Sequence, residues 1–213
     1  MTSEIPRYRL ILWDFDGTLA DTLANGVAVY NEIARTEGYR TISDPNEFRS
    51  LETQQILKHL GIPFWKLPGL IRSYIRRQRD SMPSIRLFPG IAETITSIAS
   101  AGLTQGIVSS NAEESIRSCL RANESDSFFR FIVGTVRLFG KHKAIAKAMS
   151  ANHVALNETL YIGDEVRDVI AARKIGVAVA AVTWGWHAED ALRESQPTFV
   201  LNNPNEIREL LKC

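Results

Sequence analysis

Six strand-like runs, at residues 10–13, 104–108, 129–135, 159–162, 177–183 and 198–201, constrain the fold of this 213-residue chain more than any other feature. Their apolarity is near-continuous rather than alternating, which predicts strands covered on both faces. Helical patterns lie between them, at residues 91–101, 112–121, 141–151 and 166–175. Strands alternating with helices predict an α/β fold built on a doubly wound parallel sheet. One stretch breaks the alternation. From residue 23 to 87 there is no strand pattern but there are three or four helical ones, punctuated by Pro45, Pro63, Pro68 and Pro83. Within it Leu67, Leu70, Ile71, Tyr74, Ile75 and Gln78 recur at helical spacing and predict a buried stripe. Phe88-Pro89-Gly90 marks the return to the sheet. The expected organisation is therefore a sheet core of residues 1–20 and 88–213 with an α-helical subdomain, residues 21–87, inserted as a cap. A ligand at the carboxyl ends of the strands would lie beneath that insert.

Composition narrows the function classes. With 45% hydrophobic residues, 23% charged residues and a formal net charge of +1, nothing favours nucleic acid or an anionic membrane as partner. No run approaches the roughly 18 apolar residues of a membrane span. Cys119 and Cys213 stand far apart without a metal-type spacing, so they read as a small buried hydrophobe and a terminal thiol in a reducing, cytoplasmic setting. The expectation is a monomer or a small homo-oligomer.

The chemistry-bearing residues gather where the strand patterns end. The first run closes on Trp13-Asp14-Phe15-Asp16-Gly17-Thr18. Ionised carboxyls at the edge of a core are costly unless a metal or a reaction uses them. Side chains two apart on an extended chain face one side, so Asp14 and Asp16 can address one ligand, or one of them can cap a helix. The second run ends in Ser109-Ser110-Asn111 at a helix start, which suits either an anion or a plain helix cap. Lys141 opens the next helix against its dipole, which suits a bound anion there, with a solvated surface lysine the open alternative; Lys143 competes for the role, and His142 reads as an exposed helix residue. The fourth run ends in Gly163-Asp164-Glu165-Val166-Arg167-Asp168. Asp164 suits a hard cation such as Mg2+ or an N-cap, and Asp168, one turn on, suits orienting the ligands.

With these residues in place the chain resembles the haloacid dehalogenase superfamily of phosphohydrolases, in the branch with a helical cap after the first motif, and most closely its phosphoglycolate phosphatase-like members. The matching motifs are Asp14-Phe15-Asp16-Gly17-Thr18, Ser109, Lys141 and Gly163-Asp164 through Asp168, with Leu87-Phe88-Pro89-Gly90 at the return from the cap. The resemblance covers nearly the whole chain and is weakest in the cap. It implies an Mg2+-dependent phosphatase for a small phosphorylated metabolite. Asp14 is then the nucleophile and Asp16 the general acid and base. Asp14, Asp164 and Asp16, the last through its backbone carbonyl, hold the metal. Ser109, Ser110 and Lys141 hold the phosphoryl group, and Glu165 and Asp168 support the site from behind. Ser109 replaces a commoner threonine, and Glu165 is an added acid.

Other readings stay open. A sugar-phosphate phosphatase or phosphomutase of the same superfamily is one; the mutases it resembles carry a histidine where this chain has Gly26. A catalytically idle binding protein with the same fold is another. In the cap, Arg72, Arg76 and Arg79 lie opposite the apolar stripe and read as a solvated face, with Arg77 beside them. His59 and Trp65 read as packing or surface residues. Arg49 is the better candidate for a substrate carboxylate.

Overall fold

Every second residue of the first strand belongs to a different core. In the computed structural model, which describes residues 8–51, 53–134 and 140–213, β1 (Leu10–Trp13) is fully buried. Leu10 and Leu12 pack into one apolar cluster and Ile11 and Trp13 into another, on the opposite face. Alternation of side chains across a strand, with both faces covered, is why the run reads as continuously apolar. The other strands are β2 (Thr104–Val108), β3 (Phe131–Val133), β4 (Thr159–Gly163), β5 (Ala178–Val182) and β6 (Phe199–Leu201). All pair in parallel in the order β3-β2-β1-β4-β5-β6. The direction of winding reverses at β1, which β2 and β4 flank.

The helices that cover the sheet are α4 (Ile91–Ser100), α5 (Glu113–Ala122), α6 (Lys141–Ala151) and α7 (Val166–Lys174), each within two residues of its predicted span. Two more, α8 (Glu189–Glu194) and α9 (Pro204–Leu211), escape the sequence pattern. The first has six residues, too few to show a period. The second carried a signal in Asn203-Pro204: the Asn203 side chain accepts from Asn205 N at 3.1 Å and Pro204 begins the helix, the usual pairing of cap and first-turn proline. The third strand is shorter than its apolar run, and Thr135 of that run lies outside the described residues, as does Phe139.

Between β1 and β2 come α1 (Leu23–Glu37), α2 (Thr53–Leu60) and α3 (Leu67–Gln78), with 3-10 turns at Pro45–Phe48, Phe64–Lys66 and Arg79–Ser84. They close around an apolar cluster of their own that includes Tyr30, Phe48, Leu57 and Leu60. The chain leaves and rejoins the sheet through one narrow ribbon. Ala20 and Leu87 form an antiparallel bridge, with Asp21 N donating to Arg86 O at 2.9 Å and Phe88 N to Leu19 O at 3.0 Å. The expected stripe of α3 needs correction. Its apolar members are only half-buried, and the one fully buried residue of the helix is the polar Gln78. Arg72, Arg76 and Arg79 do face solvent.

Candidate active site

Three strand ends and one helix start converge at the carboxyl edge of the sheet, at and beside the point where winding reverses, which is where open parallel sheets hold ligands. Asp14 follows β1, Ser109 follows β2, Asp164 follows β4 and Lys141 opens α6. All four are buried, as is Asp168 one turn into α7. Lys141 Nζ bridges two carboxylates, donating to Asp14 Oδ2 at 2.7 Å and Asp168 Oδ1 at 2.5 Å. Below it the Tyr161 ring lies 5.7 Å away, and the Tyr161 hydroxyl donates to Val108 O at 3.1 Å. The competing Lys143 is exposed.

Asp14, Asp164 and Asp168 present carboxylate oxygens all within 4.8 Å of one another. Three buried carboxylates around one ammonium leave a surplus of negative charge. Burial pushes the Asp168 carboxyl up to about 7 even beside Lys141. Burial, with repulsion from Glu165, Asp14 and Asp168, holds Asp164 well above the usual carboxylate range. Burial disfavours the Lys141 ammonium, yet Asp14 and Asp168 hold its pKa above the ordinary lysine value. Hard oxygen donors short of positive charge fit a divalent cation.

The two motif aspartates meet different surroundings. Asp14 Oδ1 accepts from Phe15 N at 2.8 Å, so a backbone donor and Lys141 hold its two oxygens. The turn that follows, closed by Leu19 N and Ala20 N on Phe15 O, carries Asp16 elsewhere. Its carboxylate lies outside the three-carboxylate cluster and accepts from Asn111 Nδ2 at 3.3 Å to each oxygen. Burial and the charge of Asp14 push it up to about 6, against hydrogen bonds from Thr22 and Asn111. Gly17 has φ +75°, and a side chain there would overlap the Asp164 carboxylate. Thr18 Oγ1 donates to Asp164 Oδ1 at 2.8 Å. Ser109 Oγ accepts from Asn111 N at 3.2 Å, while Ser110 is half-buried beside it. Glu165 is half-buried and paired with Arg167, and its N–H donates to Asp168 Oδ2 at 3.2 Å.

Several residues the motif reading passed over hold this arrangement. Asn111, read as part of an anion site or as a helix cap, also donates to Gln78 Oε1 at 3.1 Å, and Gln78 Nε2 donates to the Tyr74 hydroxyl at 3.3 Å. The helical insert thus reaches Asp16 through two amides. A Cβ at Gly26 would lie 2.6 Å from the Tyr74 hydroxyl, so a side chain there would have to displace the end of Tyr74. The loop after β5 is the other omission. Trp186 N donates to Asp164 Oδ2 at 2.7 Å and Trp184 Nε1 to Thr18 O at 3.1 Å. Arg49, the candidate for a substrate carboxylate, has a structural task here: its guanidinium donates to backbone carbonyls, to Trp186 O and Gly185 O at 2.9 Å each and to Thr183 O at 3.4 Å, and so holds the loop. His59 stacks edge-on against Phe48, and Trp65 is exposed.

The haloacid dehalogenase-like hydrolase family model matches residues 11–182 of the chain. A phosphoglycolate phosphatase of Synechococcus elongatus is 31% identical over 199 residues, covering 92% of this chain and 94% of that protein. The pyrophosphatase PpaX of Bacillus cereus is 24% identical over 220 residues, covering 96% and 97%. A solved haloacid dehalogenase-like family hydrolase from Streptococcus pneumoniae shares the fold at a TM-score of 0.75 and 21% identity, over 95% of this chain and 98% of that one.

Proposed function

Because the chain belongs to the haloacid dehalogenase-like hydrolases, we propose that it is a phosphoric monoester hydrolase, an Mg2+-dependent phosphatase that acts on a small phosphorylated metabolite through an aspartyl-phosphate. Residues 21–87 serve as the cap and residues 1–20 with 88–213 as the core. The observation that carries this reading is the Lys141 bridge between Asp14 and Asp168, set beside Asp164 in one buried cluster. Such a cluster sets a carboxylate next to a fixed positive charge at the place where phosphoryl oxygens would bring more negative charge.

Asp14 attacks phosphorus as its carboxylate. The bond to the leaving oxygen breaks, and that oxygen takes the proton of Asp16, whose raised pKa lets it carry one near neutrality. A water then gives its proton back to Asp16 and attacks the phosphorus of the aspartyl-phosphate, releasing phosphate and Asp14. Ser109, Ser110 and Lys141 hold the phosphoryl oxygens, and Glu165 and Asp168 keep Lys141 and Asp164 in place. Asp14, Asp164 and the Asp16 backbone carbonyl would hold Mg2+, which supplies charge neutralisation for the transferring phosphoryl group.

A substrate of the phosphoglycolate class is favoured by the relative with the higher identity. Gly26 offers no side chain at the place where the mutases carry a histidine, which argues against a mutase. The test is hydrolysis of an aryl phosphate and of a metabolite panel containing phosphoglycolate, sugar phosphates and pyrophosphate, with Mg2+ and with chelator. Turnover that requires Mg2+ and is highest on phosphoglycolate supports the proposal. No metal-dependent turnover on any compound overturns it.

A further inference from the structure

One peptide group carries the contact between the helical insert and the carboxylate cluster. It joins Gly185 to Trp186 in the loop after β5. Its C=O accepts from Arg49 Nη2 at 2.9 Å, and its N–H donates to Asp164 Oδ2 at 2.7 Å. A guanidinium at one end and a carboxylate at the other polarise the same amide, so each hydrogen bond strengthens the other. The next carbonyl, that of Trp186, accepts from Arg49 Nε at 2.9 Å. The pairing is returned by the backbone: Ala188 N donates to Arg49 O at 3.0 Å, and His187 N to Asp164 O at 3.3 Å.

The loop has little freedom to answer in any other way. A Cβ at Gly185 would overlap the Asp164 side chain and the Gly17 carbonyl, so the backbone lies directly against the carboxylate. The Trp186 side chain packs on the other side, against the insert's cluster around Phe48 and Leu57. Arg49 itself follows the 3-10 turn Pro45–Phe48 and so moves with the insert.

We propose that Arg49 is a positioning residue for the metal: through the Gly185–Trp186 peptide it orients Asp164, so that seating the insert on the sheet edge and binding the cation are one linked equilibrium. By linkage, whatever Arg49 contributes to metal affinity the bound metal returns as stability of the seated insert. This rests on the metal-dependent reading above, and it concerns binding in the absence of substrate.

The experiment is calorimetric titration of the full chain with Mg2+, and with Mn2+, without substrate, in wild type, Arg49→Ala and Arg49→Lys. Loss of a group that orients a ligand from behind typically weakens metal binding about 10–100-fold. Arg49→Ala is expected at the lower end of that range, with Arg49→Lys between it and wild type because an ammonium can reach one carbonyl but not both. Hydrogen exchange adds a measurement on wild type alone, which stands even if Arg49→Ala does not fold. Saturating Mg2+ is expected to slow exchange across residues 45–60. In folded Arg49→Ala or Arg49→Lys that protection is expected to shrink. Unchanged metal affinity in a folded variant, or exchange in residues 45–60 that ignores Mg2+ in wild type, would overturn the proposal. If wild type binds neither ion, the metal-dependent reading fails first and this inference with it.

Discussion

Asp14 and Asp16 are two residues apart and differ in what touches them, and in the proposed mechanism that difference lets one attack and the other move a proton. Lys141 and the Phe15 N–H hold Asp14, while Asp16 accepts from the neutral Asn111 amide and is raised to about 6 by burial and by Asp14. Asp16→Asn keeps the shape and removes the transferable proton. Its kcat on an alkyl phosphate should fall by about 10²–10⁴-fold, with Mg2+ affinity little changed; full activity in a folded variant would refute the assignment. A second residue tests stability rather than chemistry. Trp13 Nε1 donates to Gln105 Oε1 at 3.2 Å in the core, and Gln105 Nε2 donates to Ile95 O at 2.9 Å. Gln105→Leu strands both partners and should cost about 1–3 kcal/mol in urea denaturation, with kcat retained. The residue types at the strand ends were legible from the chain alone because each is a polar group at the end of an apolar run. Gln78 and Tyr74 were not, since an amide and a tyrosine on a helix look like packing until the fold links them to Asp16, and Asn111 was legible only as part of an anion site or a cap.

At the scale of elements, the six strands could be read from apolarity because burial on both faces leaves few polar positions to blur it, Gln105 and Thr159 among them. Helices α8 and α9 could not be read as easily, one being too short for a period and the other marked only by its first two residues. The loop after β5 was opaque for a different reason. It works through backbone atoms: the Trp186 N–H, the Gly185 carbonyl and the bare Cα of Gly185. Backbone donors leave no mark in residue identity, and the one sign, Gly185 between two tryptophans, has many ordinary explanations. Gly185→Ala tests the element directly. Its methyl would overlap Asp164 and the Gly17 carbonyl. The loop would have to retreat, at a cost of about 1–3 kcal/mol typical of overpacking, and Mg2+ affinity should fall with it. Thermal melting and metal titration of the same preparation check the two together.

For the molecule as a whole, the carboxylate surplus makes stability depend on pH when no cation is present. The folded-state pKa of Asp168 is raised to about 7, and that of Asp164 is raised well above its ordinary value. The native state therefore binds more protons than the unfolded chain near neutrality. Stability then falls as pH rises, by an amount on the order of 1.4 kcal/mol per pH unit for each proton involved. Burial lowers the pKa of His187, which acts in the opposite sense below its ordinary value near 6.5. The clean window lies above that, from about pH 6.5 to 8. In chelator Tm should drop across this window, and with saturating Mg2+ the drop should flatten. A Tm independent of pH in chelator would count against the charge surplus.

The ribbon at Ala20 and Leu87 bears on how such a chain can vary. The two crossings between sheet and insert are hydrogen-bonded neighbours, one strand spacing apart. From the sheet's side, everything between them occupies the space of a tight turn. An insert of another length or sequence can therefore be spliced in without re-routing a single strand, which makes the insert a portable cassette and the strand ends its fixed socket.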